Sequence, residues 1–147
     1  MTDNSPTRPG IDAFHKERSK CVDAFADLEL AVRKILEREG VKTGLEPFGQ
    51  KLGKLAKLIP SPRLSKSKVA ALQILTERCQ RFSDARNDIV HSRLQIAVID
   101  DVHKACFINP AKLSDCGEGA KLFTLQAIRY LSSEISGLAD DLTSFSA

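Results

Sequence analysis

The 147-residue chain has no tryptophan, a single tyrosine and only 5% aromatic residues. That scarcity argues against a carbohydrate site or a platform for stacking single-stranded bases. No apolar run approaches the ~20 residues needed to cross a bilayer. The opening Met1-Thr2-Asp3-Asn4-Ser5-Pro6 lacks the basic-then-apolar pattern of an export signal. The expectation is a soluble, cytoplasmic protein. The four cysteines Cys21, Cys79, Cys106 and Cys116 are widely spaced and form no CxxC pair, so reduced thiols are expected, with neither a disulfide framework nor a zinc site. Cys21 and Cys79 fall on apolar helical positions, where a free thiol behaves as a small hydrophobe. A phosphate-cradling glycine loop, an HExxH helix and a GxSxG elbow are all missing, so no cofactor and no metal are expected.

What is present is ordinary globular composition, 42% hydrophobic and 28% charged, in a length that suits one domain with a core of Leu, Ile, Val and Ala. The net charge of +3 is too small to demand a polyanionic partner, so the distribution of charge matters more. Residues 51–68 carry Lys51, Lys54, Lys57, Arg63, Lys66 and Lys68 with no acid among them, whereas Glu134, Asp140 and Asp141 end the chain with no base. One end of the fold is expected to be electropositive.

Residues 1–9 are polar and contain Pro6 and Pro9, which predicts a disordered tail. From Ile11 to Glu39, apolar residues recur at steps of three and four (Phe14, Cys21, Phe25, Leu28, Val32, Ile35), and Gly40 supplies a left-handed stop. Pro47 suits the first turn of a second helix striped by Phe48, Leu52, Leu55, Ala56 and Ile59, ended by Pro60 and Pro62. Its Lys51, Lys54 and Lys57 share a flank that is either solvated or a phosphate-facing strip. A third helix, capped by Ser65 or Ser67, is predicted to run through Leu72, Cys79, Phe82 and Ile89 to His91. Leu94, Ile96 and Val98 then alternate, Asp100-Asp101 can turn the chain, and Ala105 to Ile108 is β-prone, which predicts a small hairpin. Asn109 to Gly119 reads as a loop before a last helix striped by Leu122, Leu125, Ile128, Leu131, Ile135, Leu138 and Leu142. The sum is an all-α, up-and-down-like four-helix bundle with a small hairpin or extended insertion before its final helix.

The chemistry-bearing string is Arg86-Asn87-Asp88-Ile89-Val90-His91. On the predicted third helix, Phe82, Ala85 and Ile89 define the buried face. Arg86 lies about 40° from Phe82 and His91 points roughly opposite, at ~100° per residue. A guanidinium held against apolar surface needs partners, so Arg86 is either paired internally or covered by a second surface such as another subunit or a ligand phosphate. A plainer reading has Arg86 reaching out along its stem while His91 caps the helix C-terminus. Asp84 and Asp88 are expected on or beside the polar side with His91, orienting it or simply solvated. His15 and His103 read as surface residues.

This string resembles the RNxxxH motif of the HEPN superfamily. The order of a long helix, a short Lys-rich helix, a motif helix, a hairpin and a leucine-striped last helix is similar to small prokaryotic members across most of residues 11–143. The resemblance implies a single HEPN-like domain over residues 10–147. It also implies a homodimer whose motif helices meet, placing both copies of Arg86 and His91 around one cleft. Active members resemble metal-independent endoribonucleases, in some cases toxins or defence effectors held in check by an antitoxin-like partner. In such a site His91 moves the proton during attack of the ribose 2′-hydroxyl, Arg86 stabilises charge on the phosphate and Asn87 holds the geometry. General chemistry agrees: an imidazole ordinarily titrates at about 6.5, and a guanidinium forks onto phosphate oxygens. The alternatives are a non-catalytic module of the same fold that binds nucleotide, RNA or protein, and a structural dimeric bundle.

Overall fold

In the computed structural model, residues 10–109 and 120–145 are described. The expected tail at 1–9 and loop positions 110–119 lie outside them. Helix α1 spans Ile11–Arg38. Its stop is the one foreseen, because Gly40 adopts φ +74°, a conformation open to a residue without Cβ. The Gly40 amide donates to the Glu37 carbonyl at 3.0 Å and the Val41 amide to that of Leu36 at 2.9 Å, which satisfies the last turn's orphan carbonyls.

Helix α2, Phe48–Ala56, begins directly after Pro47. Ile59, expected on its apolar stripe, lies beyond the helix end and is 75% exposed. Ser65 caps α3, Lys66–Gln80, by accepting a hydrogen bond from the Lys68 amide.

The single helix predicted from Ser65 to His91 is in fact two, because α4 spans Ser83–His91. At the break, the Phe82 amide bonds to the Cys79 carbonyl at 3.0 Å, a three-residue closure. Phe82 keeps φ −97° and ψ −1°, so the chain kinks through a tightened turn without leaving the right-handed region. The motif therefore sits on a short helix with an axis of its own.

Strands β1 (Arg93–Ile99), β2 (Val102–Ile108) and β3 (Ala120–Phe123) form an antiparallel sheet in that order. Asp100 and Asp101, at φ +51° and +62°, make the two-residue left-handed turn that matches strand twist. Leu94 pairs with Phe107 and Ile96 with Ala105, and this face lies on the core, where Leu94, Ala105 and Phe107 are buried. Phe123 meets Phe107 edge to face at 5.5 Å.

Helix α5 spans Leu125–Phe145, and the Thr124 hydroxyl accepts from the Ala127 amide at its start. Leu122, expected on this helix, belongs instead to β3, where it pairs with Cys106. The expectation of an all-α four-helix bundle is thus corrected: the described residues hold five helices and a three-stranded antiparallel sheet. The hairpin is no insertion but two-thirds of a sheet that joins the core. The core itself lies mainly between α1 and α5, with Phe14, Leu28, Val32 and Ile35 facing Ile128, Leu131, Ile135 and Leu142. No described helix is long and apolar enough to cross a membrane.

Candidate functional site

Helix α4 is anchored at its C-terminal end. Ile89 is fully buried. From α1, Arg18 reaches across, its Nε donating to the Ile89 carbonyl at 3.0 Å and its Nη2 to that of Ser92 at 2.6 Å. Helix C-termini leave carbonyls without partners, and one guanidinium satisfies two here. The same guanidinium lies 5.8 Å from the Phe107 ring centroid, so helix end and sheet are held by one side chain.

Arg86, Asn87 and His91 converge. Arg86 Nη1 donates to Asn87 Oδ1 at 3.2 Å and lies 3.4 Å from His91 Nε2. The two motif residues are about 140° apart around the helix at ~100° per residue, and the length of the arginine stem closes that angle. His91 is exposed at the helix end. Arg86 is largely covered, its side chain 19% exposed, and its Nη2 pairs with Glu29 Oε2 at 3.4 Å. The partner demanded by a guanidinium on an apolar face is thus an internal one on α1.

Asp88 departs from expectation. Asp84 is exposed, but Asp88 is only 1% exposed. Its Oδ2 lies 2.6 Å from Lys121 Nζ and its Oδ1 accepts from Asn109 Nδ2 at 3.4 Å. The carboxylate ties α4 to the sheet rather than facing water. Asp88 lies about 100° around α4 from the buried Ile89, and Lys121 of β3 and Asn109 cover that flank, which spacing along the helix does not reveal. His15 is exposed, while His103 is half-buried on β2.

The lysine flank of α2 is divided. Lys51 is buried, with Nζ 2.9 Å from Glu29 Oε1. Its place three residues after Phe48 and four before Leu55 puts it on the apolar stripe, a signal legible in the sequence. Lys54 pairs with Glu46 at 2.7 Å, and its ammonium holds the Glu46 carboxyl down at about 2. Lys57 is exposed. The three do not form a row of free charges, but Lys51 comes to the motif through Glu29, whose two oxygens bridge it to Arg86.

Sequence reasoning missed Arg18 and Glu29. Each flanks the buried stripe of α1, beside Cys21 and Phe25 respectively, and a charge at the margin of an apolar face is the only hint of either. The result is an exposed imidazole against a largely buried guanidinium beside a depression of about 110 Å³ lined by Val22, Phe25, Ala26, Glu29, Arg86 and Val90. Such a pair can move a proton and steady a developing negative charge. Comparisons with protein families, curated proteins and solved structures found no match.

Proposed function

We propose that the chain is a metal-independent endoribonuclease of the HEPN type. The observation that supports this is the approach of Arg86 Nη1 to within 3.4 Å of His91 Nε2 at an exposed helix end. His91 takes the proton of a ribose 2′-hydroxyl as the 2′-oxygen bonds to the adjacent phosphorus. The bond from phosphorus to the 5′-oxygen then breaks, and the leaving oxygen takes a proton from solvent. The products are a 2′,3′-cyclic phosphate and a 5′-hydroxyl. Arg86 offsets the charge on the phosphate, as a fixed guanidinium does best in a partly water-excluded place, and Asn87 keeps Arg86 in line.

The protein acts as a homodimer joined near the motif helix, with half-buried Val90 and Val22 and exposed Leu30 beside the contact. A toxin or defence role in the cytoplasm, with an antitoxin-like partner, fits such an activity. Incubation of pure protein with mixed RNA tests the reading: cleavage should survive chelator, leave cyclic ends and vanish in His91→Ala.

One observation favours a second reading, a non-catalytic module that binds nucleotide, RNA or protein. Arg86 is engaged by Glu29 and the adjoining depression holds only about 110 Å³. Tight RNA binding without turnover would support that module over the nuclease.

A further inference from the structure

Two cations meet a single carboxylate at the junction of α1, α2 and α4. Glu29 meets Lys51 at 2.9 Å and Arg86 at 3.4 Å, so two cations share one negative charge. Arg33 lines the same depression as Lys51 and Glu29, and its own charge is taken by Glu37 at 2.9 Å. The shared site is left with an excess of positive charge.

Arg86 is also poorly used. A guanidinium has five N–H donors and reaches ions at ~2.7–2.9 Å when well matched. Its side-chain contacts to Asn87, His91 and Glu29 are 3.2, 3.4 and 3.4 Å long. The Lys51 side chain is only 9% exposed, whereas that of Glu29 is 28% exposed. The lysine is fixed in place, and the glutamate has a route to water. Two depressions, of about 230 and 110 Å³, both include Ala26 and Glu29 in their linings. The glutamate borders both.

We propose that Lys51 and Arg86 form a phosphate seat that the Glu29 carboxylate covers in the free protein. An incoming phosphate takes the place of Glu29 on Arg86 Nη2, approaches Lys51, and lets Glu29 swing to solvent. The seat lies on the α2 side of Arg86, away from its contact with His91, and so takes a phosphate next to the one attacked. That last assignment rests on the nuclease reading; the anion seat does not.

Calorimetric titration with inorganic pyrophosphate tests the seat in protein shown to be folded by circular dichroism. Glu29→Gln, which keeps the shape and removes the competing charge, should tighten binding about fivefold or more. Glu29→Asp should stay near the wild-type affinity, and Lys51→Met should weaken binding about fivefold or more. Equal or weaker binding by a folded Glu29→Gln, or wild-type affinity in Lys51→Met, overturns the proposal. Should Glu29→Gln fail to fold, the Lys51→Met titration decides alone. Displacement of pyrophosphate by a single-stranded oligodeoxynucleotide, and not by a mononucleotide, assigns the seat to nucleic acid; the reverse assigns it to a free nucleotide. Tighter binding in Glu29→Gln with no RNA cleavage by wild type keeps the seat and removes the nuclease. Cleavage with pyrophosphate affinity unmoved by Glu29→Gln does the opposite.

Discussion

Arg18 Nη2 lies 2.6 Å from the carbonyl oxygen of Ser92, 74 residues away in sequence, while Nε of the same guanidinium holds Ile89. The end of the motif helix, and with it the backbone of His91, is therefore positioned from α1. Arg18→Met keeps the apolar stem and removes both charged hydrogen bonds, which should lower stability by about 1.5–3 kcal/mol. Arg18→Lys, able to reach one carbonyl at a time, should recover part of that. Urea midpoints measure the loss, and hydrogen exchange should show the amides of α4 opening before those of α1. An unchanged midpoint in Arg18→Met would contradict the anchor.

Asp88 and Asp84 are four residues apart and should behave differently. Removal of the exposed Asp84 carboxylate should change stability by no more than about 0.5 kcal/mol. Asp88→Ala takes a charged hydrogen-bond acceptor from the buried Asn109 and frees Lys121, 46% exposed, to return to water, and should cost about 1–3 kcal/mol. Thermal melts of the two variants side by side check this. Equal melting temperatures would mean that Asp88 does not join α4 to the sheet.

Burial pushes the Cys21 thiol up to about 12 and the Cys79 thiol up to about 11, because the thiolate is disfavoured away from water. Both should resist alkylation in native protein at pH 8 and react on unfolding. A thiol whose folded pKa is raised stabilises the fold fully below the unfolded value, and that contribution is lost as pH climbs. The unfolded thiols start to ionise near the ordinary value of 9.0, so stability should fall from about pH 9 upward. Between pH 8 and pH 10 the two together should cost about 3 kcal/mol. Denaturation curves at the two pH values would show it, and a flat profile in which Cys21→Ala makes no difference would count against the burial.

Much of this was readable from the chain. The stripe of α1 with its stop at Gly40, the turn at Asp100-Asp101 and the apolar line from Leu125 to Leu142 are local signals, and each element formed where its signal lay. Three features were not local. The kink at Arg81-Phe82 keeps helical dihedrals and contains neither proline nor glycine, so apolar spacing runs through it unbroken and predicts one helix where there are two, while Asp88 is covered by Lys121 and Asn109 from outside its helix. Strand β3 is four residues long and owes its existence to pairing with β2, so Leu122 alone suggests a helix as readily. The partners of Arg86 and Ile89 come from α1, 57 and 71 residues away, and periodicity has no means of naming them. The motif triplet itself was legible as a string, and its convergence depended on side-chain reach.

The proposed dimer near the motif helix can be tested by charge insertion. Val90 is half-buried beside Arg86 and faces the shared depression with Val22. Val90→Asp should convert a dimer to a monomer in sedimentation velocity at micromolar concentration and reduce cleavage in parallel. Wild-type protein that sediments as a monomer would remove the composite cleft from the account.

The most direct measurement is cleavage of a mixed RNA pool by purified protein in excess chelator, with His91→Ala carried through the same purification. Wild type should leave cyclic phosphate ends, and the folded variant should cut at least about a hundredfold more slowly. RNA left intact by wild type, or cut as fast by His91→Ala, would contradict the proposed nuclease.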